Sequence, residues 1–342
     1  MSGAAACPVK NPVTGTAIAR RVAVAVAVLA LIAVPYAIQQ VYYVNIASQV
    51  LLYAVFALGL NVLVGYAGLV SLGHAGLFGV AGYVVAYLLA AGYGHAVAIL
   101  AGLAVGLVAT AGFAALALRA SGISFIMITL ALGEIIWGLA YRWISITGGD
   151  NGISVSTRPA PFGLSLDSPR AFYDATLVVF LLAVAAVAVF VRSPLGAALC
   201  GTRDQPRRMN ALGYHVWLIQ FWAFMFSGLL TSAAGILFVY YTEFISPQAL
   251  ALTASAEGLL MVISGGAGTL LGPVFGAALV VIVKNVVSAY ITRWNFMLGA
   301  IFVAIVVFMP EGLAPGAVRL ARSTWRAGSR SKAAAVVAQR KS

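Results

Sequence analysis

Long apolar stretches broken by short polar ones are the dominant pattern of this chain. About 20 consecutive apolar residues suffice to cross the hydrocarbon core of a bilayer as a helix, the one open-ended element that pairs all its own backbone groups there. Ten such segments are read at 22–38, 45–64, 74–92, 95–118, 123–145, 173–191, 217–241, 248–264, 272–291 and 295–309. The expected fold is an all-α, polytopic membrane helix bundle of about ten transmembrane helices, with eight as the other count that keeps both termini on one side. Residues 1–21 read as a cytoplasmic leader, 22–312 as the transmembrane domain with a cytoplasmic loop at 192–216, and 313–342 as a basic cytoplasmic tail.

Glycines interrupt the pattern at two places. The stretch 65–76 holds four, at Gly65, Gly68, Gly73 and Gly76, between two apolar segments. Residues 60–68 also align with 260–268 at a constant offset, matching Leu60/Leu260, Val62/Val262, Gly65/Gly265, Ala67/Ala267 and Gly68/Gly268. Corresponding glycine-interrupted segments in two halves are what a transporter built on an internal repeat shows. Such glycines either open the backbone beside a solute path, together with Ser71 and His74, or let helices pack closely.

Composition removes whole classes of function. Of 342 residues 63% are hydrophobic and 8% charged, against about 25% charged in soluble domains. The net charge of +12 would suit nucleic acid, but its distribution points to a membrane instead. With the N-terminus inside, fifteen of the 20 basic residues fall in the leader, at Arg119, in loop 192–216 and in the tail. That is the positive-inside arrangement, and the tail then reads as a segment drawn to anionic lipid. The chain carries no G-x-x-x-x-G-K-[ST] phosphate loop and no H-E-x-x-H. His74, His95 and His215 are scattered, so neither an ATPase site nor a metal or cofactor site is expected.

Two carboxylates fall within apolar segments, Glu134 and Glu257. An ionisable group there costs at least about 2.5 kcal/mol and faces a cavity or a partner, so each either lines a polar path or is a hydrogen-bonded structural carboxyl. In loop 192–216, residues 204–213 read as a short helix. Asp204 or Gln205 caps it, Pro206 stands in its first turn and Gly213 closes it. Met209 and Leu212 fall on one face beside Arg203, Arg207 and Arg208, a surface suited to a groove on another protein or to the lipid interface.

These stretches, taken in order, resemble the membrane permease subunits of ABC importers for branched-chain amino acids, of the LivM type. The resemblance runs from Leu58-Gly-Leu-Asn-Val-Leu-Val-Gly65 through Thr129-Leu-Ala-Leu-Gly-Glu-Ile135, Thr147-Gly-Gly-Asp-Asn-Gly-Ile153 and Ser193-Pro-Leu-Gly196. It continues through 204–213 and Ile245-Ser-Pro247 to the 257–273 stretch, and so covers roughly 45–313. It implies an inner-membrane subunit without its own ATPase, consuming ATP through two cytoplasmic ABC ATPases. The further partners implied are a LivH-type permease or a second copy of the chain, and a periplasmic solute-binding protein. It likens 204–213 to a coupling helix, although Asp204-Gln205-Pro206 departs from the family's acidic residue and Asn-Pro. It likens Thr147, Gly148, Gly149, Asp150 and Asn151 to the surface that meets the binding protein. The solute implied is a branched-chain or related amino acid; urea, short amides or another small polar solute is the alternative. Outside the resemblance, an ion-coupled secondary transporter using Glu134 and Glu257 also fits the residues.

Overall fold

Residues 41–67 are apolar on every side, and a helix without a polar face has to be enclosed by others. The computed structural model bears this out. It describes residues 40–155 and 168–290, with side chains as far as 285, and short pieces between 29 and 36 and between 296 and 312. The leader, the tail and most of the spans at 22–38 and 295–309 lie outside the described residues.

Helix α1 (Val41–Asn61) continues into a π-helical turn, Val62–Ala67. It stands at the centre, where Leu52, Val55, Leu58, Leu60 and Leu63 are fully buried. Helix α2 (His74–Ala90) and the long α8 (Val216–Thr242) pack against it. Around them stand α3 (His95–Ala117), α4 (Ile123–Arg142), α5 (Pro169–Arg192), α9 (Leu252–Gly265) and α10 (Gly272–Tyr290). Two helices, α6 (Pro194–Asp204) and α7 (Pro206–Ala211), join α5 to α8; α6 puts Leu199 and Cys200 into the core, whereas α7 buries no residue. Ser193 caps α6 through a hydrogen bond from Gly196 N–H, with Pro194 in the first turn.

Among the described residues, five helices are long and apolar enough to cross a membrane: Val41–Ala67, His95–Ala117, Ile123–Arg142, Pro169–Arg192 and Val216–Thr242. Three more of the expected spans fall on shorter apolar helices, His74–Ala90, Leu252–Gly265 and Gly272–Asn285. The outward faces of α3, α4 and α5 carry Leu100, Val108, Met127, Ile135, Leu182 and Val189, all exposed, a surface matched to hydrocarbon. Consecutive helices alternate in direction. One end of the bundle, the arginine end, gathers Arg119, Arg192 and α6–α7; the other joins α2 to α3, α4 to α5 and α8 to α9.

Small residues set how closely the helices approach. On α3, Gly102, Gly106 and Thr110 recur every four residues against Ile236, Ser232 and Gly228 on α8, which runs the opposite way. A Cβ at Gly106 would lie 2.9 Å from Ser232 Cβ. This is the small-residue packing by which helices associate where no hydrophobic force drives them together. One departure from an all-α expectation is a two-residue antiparallel pair among the described residues. There β1 (Ile153–Ser154) and β2 (Phe244–Ile245) meet in the register Ile153↔Ile245. It ties the α4–α5 connection to the end of α8, at the end called here the strand end.

Candidate functional site: an ion-paired cavity and a glycine seam

A cavity of about 330 Å³ opens between α1, α2, α8, α9 and α10. Phe56, Phe78, Phe238 and Tyr53 form its apolar walls, and Thr242, Phe244, Ser246 and Gln248 its rim toward the strand end. Its two charges are Glu257 and Lys284. Lys284 Nζ lies 3.1 Å from one Glu257 carboxylate oxygen and 3.3 Å from the other, and both side chains are partly buried. Helices α9 and α10 form a hairpin that sets these residues face to face although 27 positions separate them. Lys284 is a site residue that sequence reasoning missed. The available signal was a lone cation in one apolar segment and a lone anion in the segment before it.

Of the residues read as a pathway, Glu257 lines this cavity. The glycines lie instead toward the arginine end, Gly265 standing about 12 Å along α9 from Glu257. There the two interruptions meet. A Cβ at Gly65 would collide with the Gly268 backbone N, and one at Gly265 with the Gly272 carbonyl. Gly68 and Gly268 both adopt the left-handed conformation, at φ 72° and 79°, which glycine takes without strain. The backbone groups freed by these breaks have partners. The fully buried Asn61 accepts from Gly268 N–H at 2.9 Å and donates to the Thr269 carbonyl at 2.9 Å. Close packing, one of the two readings of these glycines, thus describes their geometry.

Arg203 joins this seam. It sits on α6, one residue before the end of that helix, and the short helix expected at 204–213 runs from Pro206 to Ala211. Its Nη1 donates to the Gly65 carbonyl at 2.8 Å, its Nε to Asp204 at 3.1 Å, and its stem covers Gly68. Asp204 ends α6; Gln205 stands at the N-cap of α7 without a side-chain hydrogen bond, Pro206 follows, and Gly213 closes the turn at φ 84°. Met209 and Leu212 do not present one apolar face. Met209 turns back onto Gly201, its sulfur 2.9 Å from where a Cβ would be, while Leu212, Arg207 and Arg208 are exposed. A glycine at 201 leaves a hollow that the flexible thioether fills.

Ser71 and His74 are fully buried in a hydrogen-bonded chain between cavity and seam. Ser227 Oγ donates to the Gly59 carbonyl at 2.6 Å, so it accepts from His74 Nε2 at 3.0 Å. His74 Nδ1 then accepts from Ser71 Oγ at 2.8 Å. The bonds assign the Nε2–H tautomer. Glu134 is partly buried on α4, away from the cavity, beside the Gly133–Gly73 contact.

At the strand end, Thr147 is buried and donates to the Ala140 carbonyl at 2.6 Å while accepting from Gly149 N–H. Gly148 and Gly149 take left-handed turns, and Asp150 and Asn151 are exposed. Thr147 and Gly149 therefore shape the loop, and Asp150 and Asn151 stand on its exposed surface.

A helical bundle with lipid-matched faces, an internal ion pair and broken helices meeting at its core defines a multi-pass membrane transport protein. Residues 42–306 match the family described as "Branched-chain amino acid transport system / permease component". The chain belongs to this family. It is similar to the high-affinity branched-chain amino acid transport system permease protein LivM of Salmonella typhimurium, at 31% identity over 80% of this chain and 70% of that protein. The Escherichia coli LivM is 30% identical over the same shares. The autoinducer 2 import system permease protein LsrC of Yersinia enterocolitica is 29% identical over 42% of this chain and 43% of its own length. No solved structure matches.

Proposed function

We propose that the chain is the membrane-embedded permease of an ATP-driven importer, carrying branched-chain or related amino acids inward by alternating access. The observation that carries the reading is a charged, aromatic-walled cavity with its rim at one end and a close-packed glycine seam at the other. A solute site closed on one side by broken helices is the arrangement alternating access requires. Inward release then needs the Gly65–Gly268 contact to part. Arg203, spanning from α6 to Gly65, connects that contact to the arginine end, where two cytoplasmic ABC ATPases dock on α7 through Arg207, Arg208 and Leu212 and supply the ATP. The residues Asp150 and Asn151 meet a periplasmic solute-binding protein at the opposite face. A LivH-type permease or a second copy completes the membrane unit in the inner membrane, with both termini cytoplasmic.

The test is affinity purification of the tagged chain from native membrane, in parallel with an Arg207→Glu/Leu212→Asp variant. Recovery of two ATPases and a second permease, with the ATPases lost in the variant, is expected. A chain that purifies alone in both forms, under conditions that keep a known importer intact, overturns the reading in favour of secondary transport. A different small polar solute, such as urea or an amide, is the second reading. The observation favouring it is the similarity to a permease whose name gives autoinducer 2 as its cargo.

A further inference from the structure

Resting on the import reading, we propose that Glu257 and Lys284 form an amino-acid binding site: an incoming zwitterion opens their ion pair, its ammonium going to Glu257 and its carboxylate to Lys284. The hydrocarbon side chain then lies against the rings of Phe56, Phe78 and Phe238.

Opposite charges in a wall that is otherwise largely apolar are the starting point. Separating a partly desolvated ion pair takes from each charge its counter-ion, so a solute that opens it has to replace each of the two. A zwitterion does this: both wall charges and both ligand charges end compensated. A simple amine or a simple carboxylic acid supplies one of the two counter-charges, and a neutral amide supplies neither. The ammonium and carboxylate of an α-amino acid leave from the same carbon, so they serve two wall groups only if those groups lie within a few ångströms, as the 3.1 Å pair does.

Two further features agree. Helices α2 and α9 both begin on the cavity, through Ala75 and through Thr253 and Ala254. Helix N-termini at such a site favour a substrate carboxylate. The volume of about 330 Å³ lies at the small end of ligand pockets, which span about 300–1,000 Å³, and suits one small solute with its side chain on the rings. Selectivity for amino acids then resides partly in the membrane subunit itself.

The experiment measures uptake of labelled leucine by cells producing the intact assembly, with subunit recovery checked for every variant. Glu257→Gln and Lys284→Met are each expected to slow uptake at least tenfold while the subunits still co-purify. The neutral pair Glu257→Gln/Lys284→Met should be equally slow. Wild-type uptake in that double variant, or in both singles, would make the pair structural and overturn the proposal. A second measurement avoids the charged residues. Thr253→Cys lines the cavity, and saturating leucine should slow its labelling by a small thiol reagent at least fivefold, whereas the matching amine, acid and amide should not. Labelling unchanged by leucine, or slowed equally by the neutral amide, also overturns it. Should the wild-type assembly carry no leucine at all, the import reading is what fails.

Discussion

Asn61 holds two partly buried backbone groups of another segment, the Gly268 N–H and the Thr269 carbonyl, with one side-chain amide. Each orphaned group costs about 1–3 kcal/mol. Asn61→Leu, which keeps the volume, is therefore expected to lower the melting temperature of the detergent-purified protein by several degrees and to impair uptake; an unchanged melting curve would count against the clamp. Gly68 carries two constraints at once, a left-handed backbone and the Arg203 stem 2.7 Å from where a Cβ would stand. Gly68→Val should abolish uptake yet leave the protein inserted, a split visible when transport is compared with membrane abundance. Legibility at this scale was uneven. Both interruptions stood out because glycines cluster between apolar runs, and Glu257 stood out as a carboxylate inside one. Asn61 is one of three amides in its span, with Asn45 and Gln49, and an amide in a sequence does not say what it binds. The reach of Arg203 to Gly65 depends on a fold that brings together residues 138 positions apart.

The α3–α8 contact shows how an element is placed by residues that offer almost nothing to water or to lipid. Gly106 is closed against Ser232, whereas Gly112 on the same helix faces open space. Gly112→Ala should be tolerated and gain helix propensity of up to about 1 kcal/mol. Gly106→Val should separate the two helices and reduce the amount of folded protein. Equal yields of the two variants, measured by fluorescence-detected size exclusion, would refute this packing. Helix existence was largely legible, because sustained apolar runs leave a chain in lipid few alternatives. Helix bounds were less so: α2 starts at His74 as expected and ends two residues early, whereas α9 starts at Leu252, four residues late, because the proline-bearing turn Pro247–Leu250 precedes it, information that hydropathy alone does not contain. The turn of 206–213 was legible from Pro206 and Gly213, while the inward direction of Met209 followed from the small residue at 201, in the helix before it.

Across the whole molecule, the gathering of Arg119, Arg192, Arg203, Arg207 and Arg208 at one end, against Arg142 and Arg170 beside the strand pair at the other, makes a single orientation testable. Asn151→Cys should react with an impermeant thiol reagent added to the outside of intact, outer-membrane-permeabilised cells. Asn210→Cys should react only once the inner membrane is opened, and the reverse result would invert the topology. The pairing of helices about α1 could not be read from a sequence whose segments are nearly all equally apolar; it is decided by where glycines and buried polar groups find counterparts. One such set, Ser71, His74 and Ser227, has a consequence for energy supply. Its hydrogens all point one way and the chain stops at the Gly59 carbonyl, which has no proton to hand on. As a proton wire it is a dead end; on the importer reading proposed above, discharging the transmembrane proton gradient at constant ATP should leave the import rate unchanged.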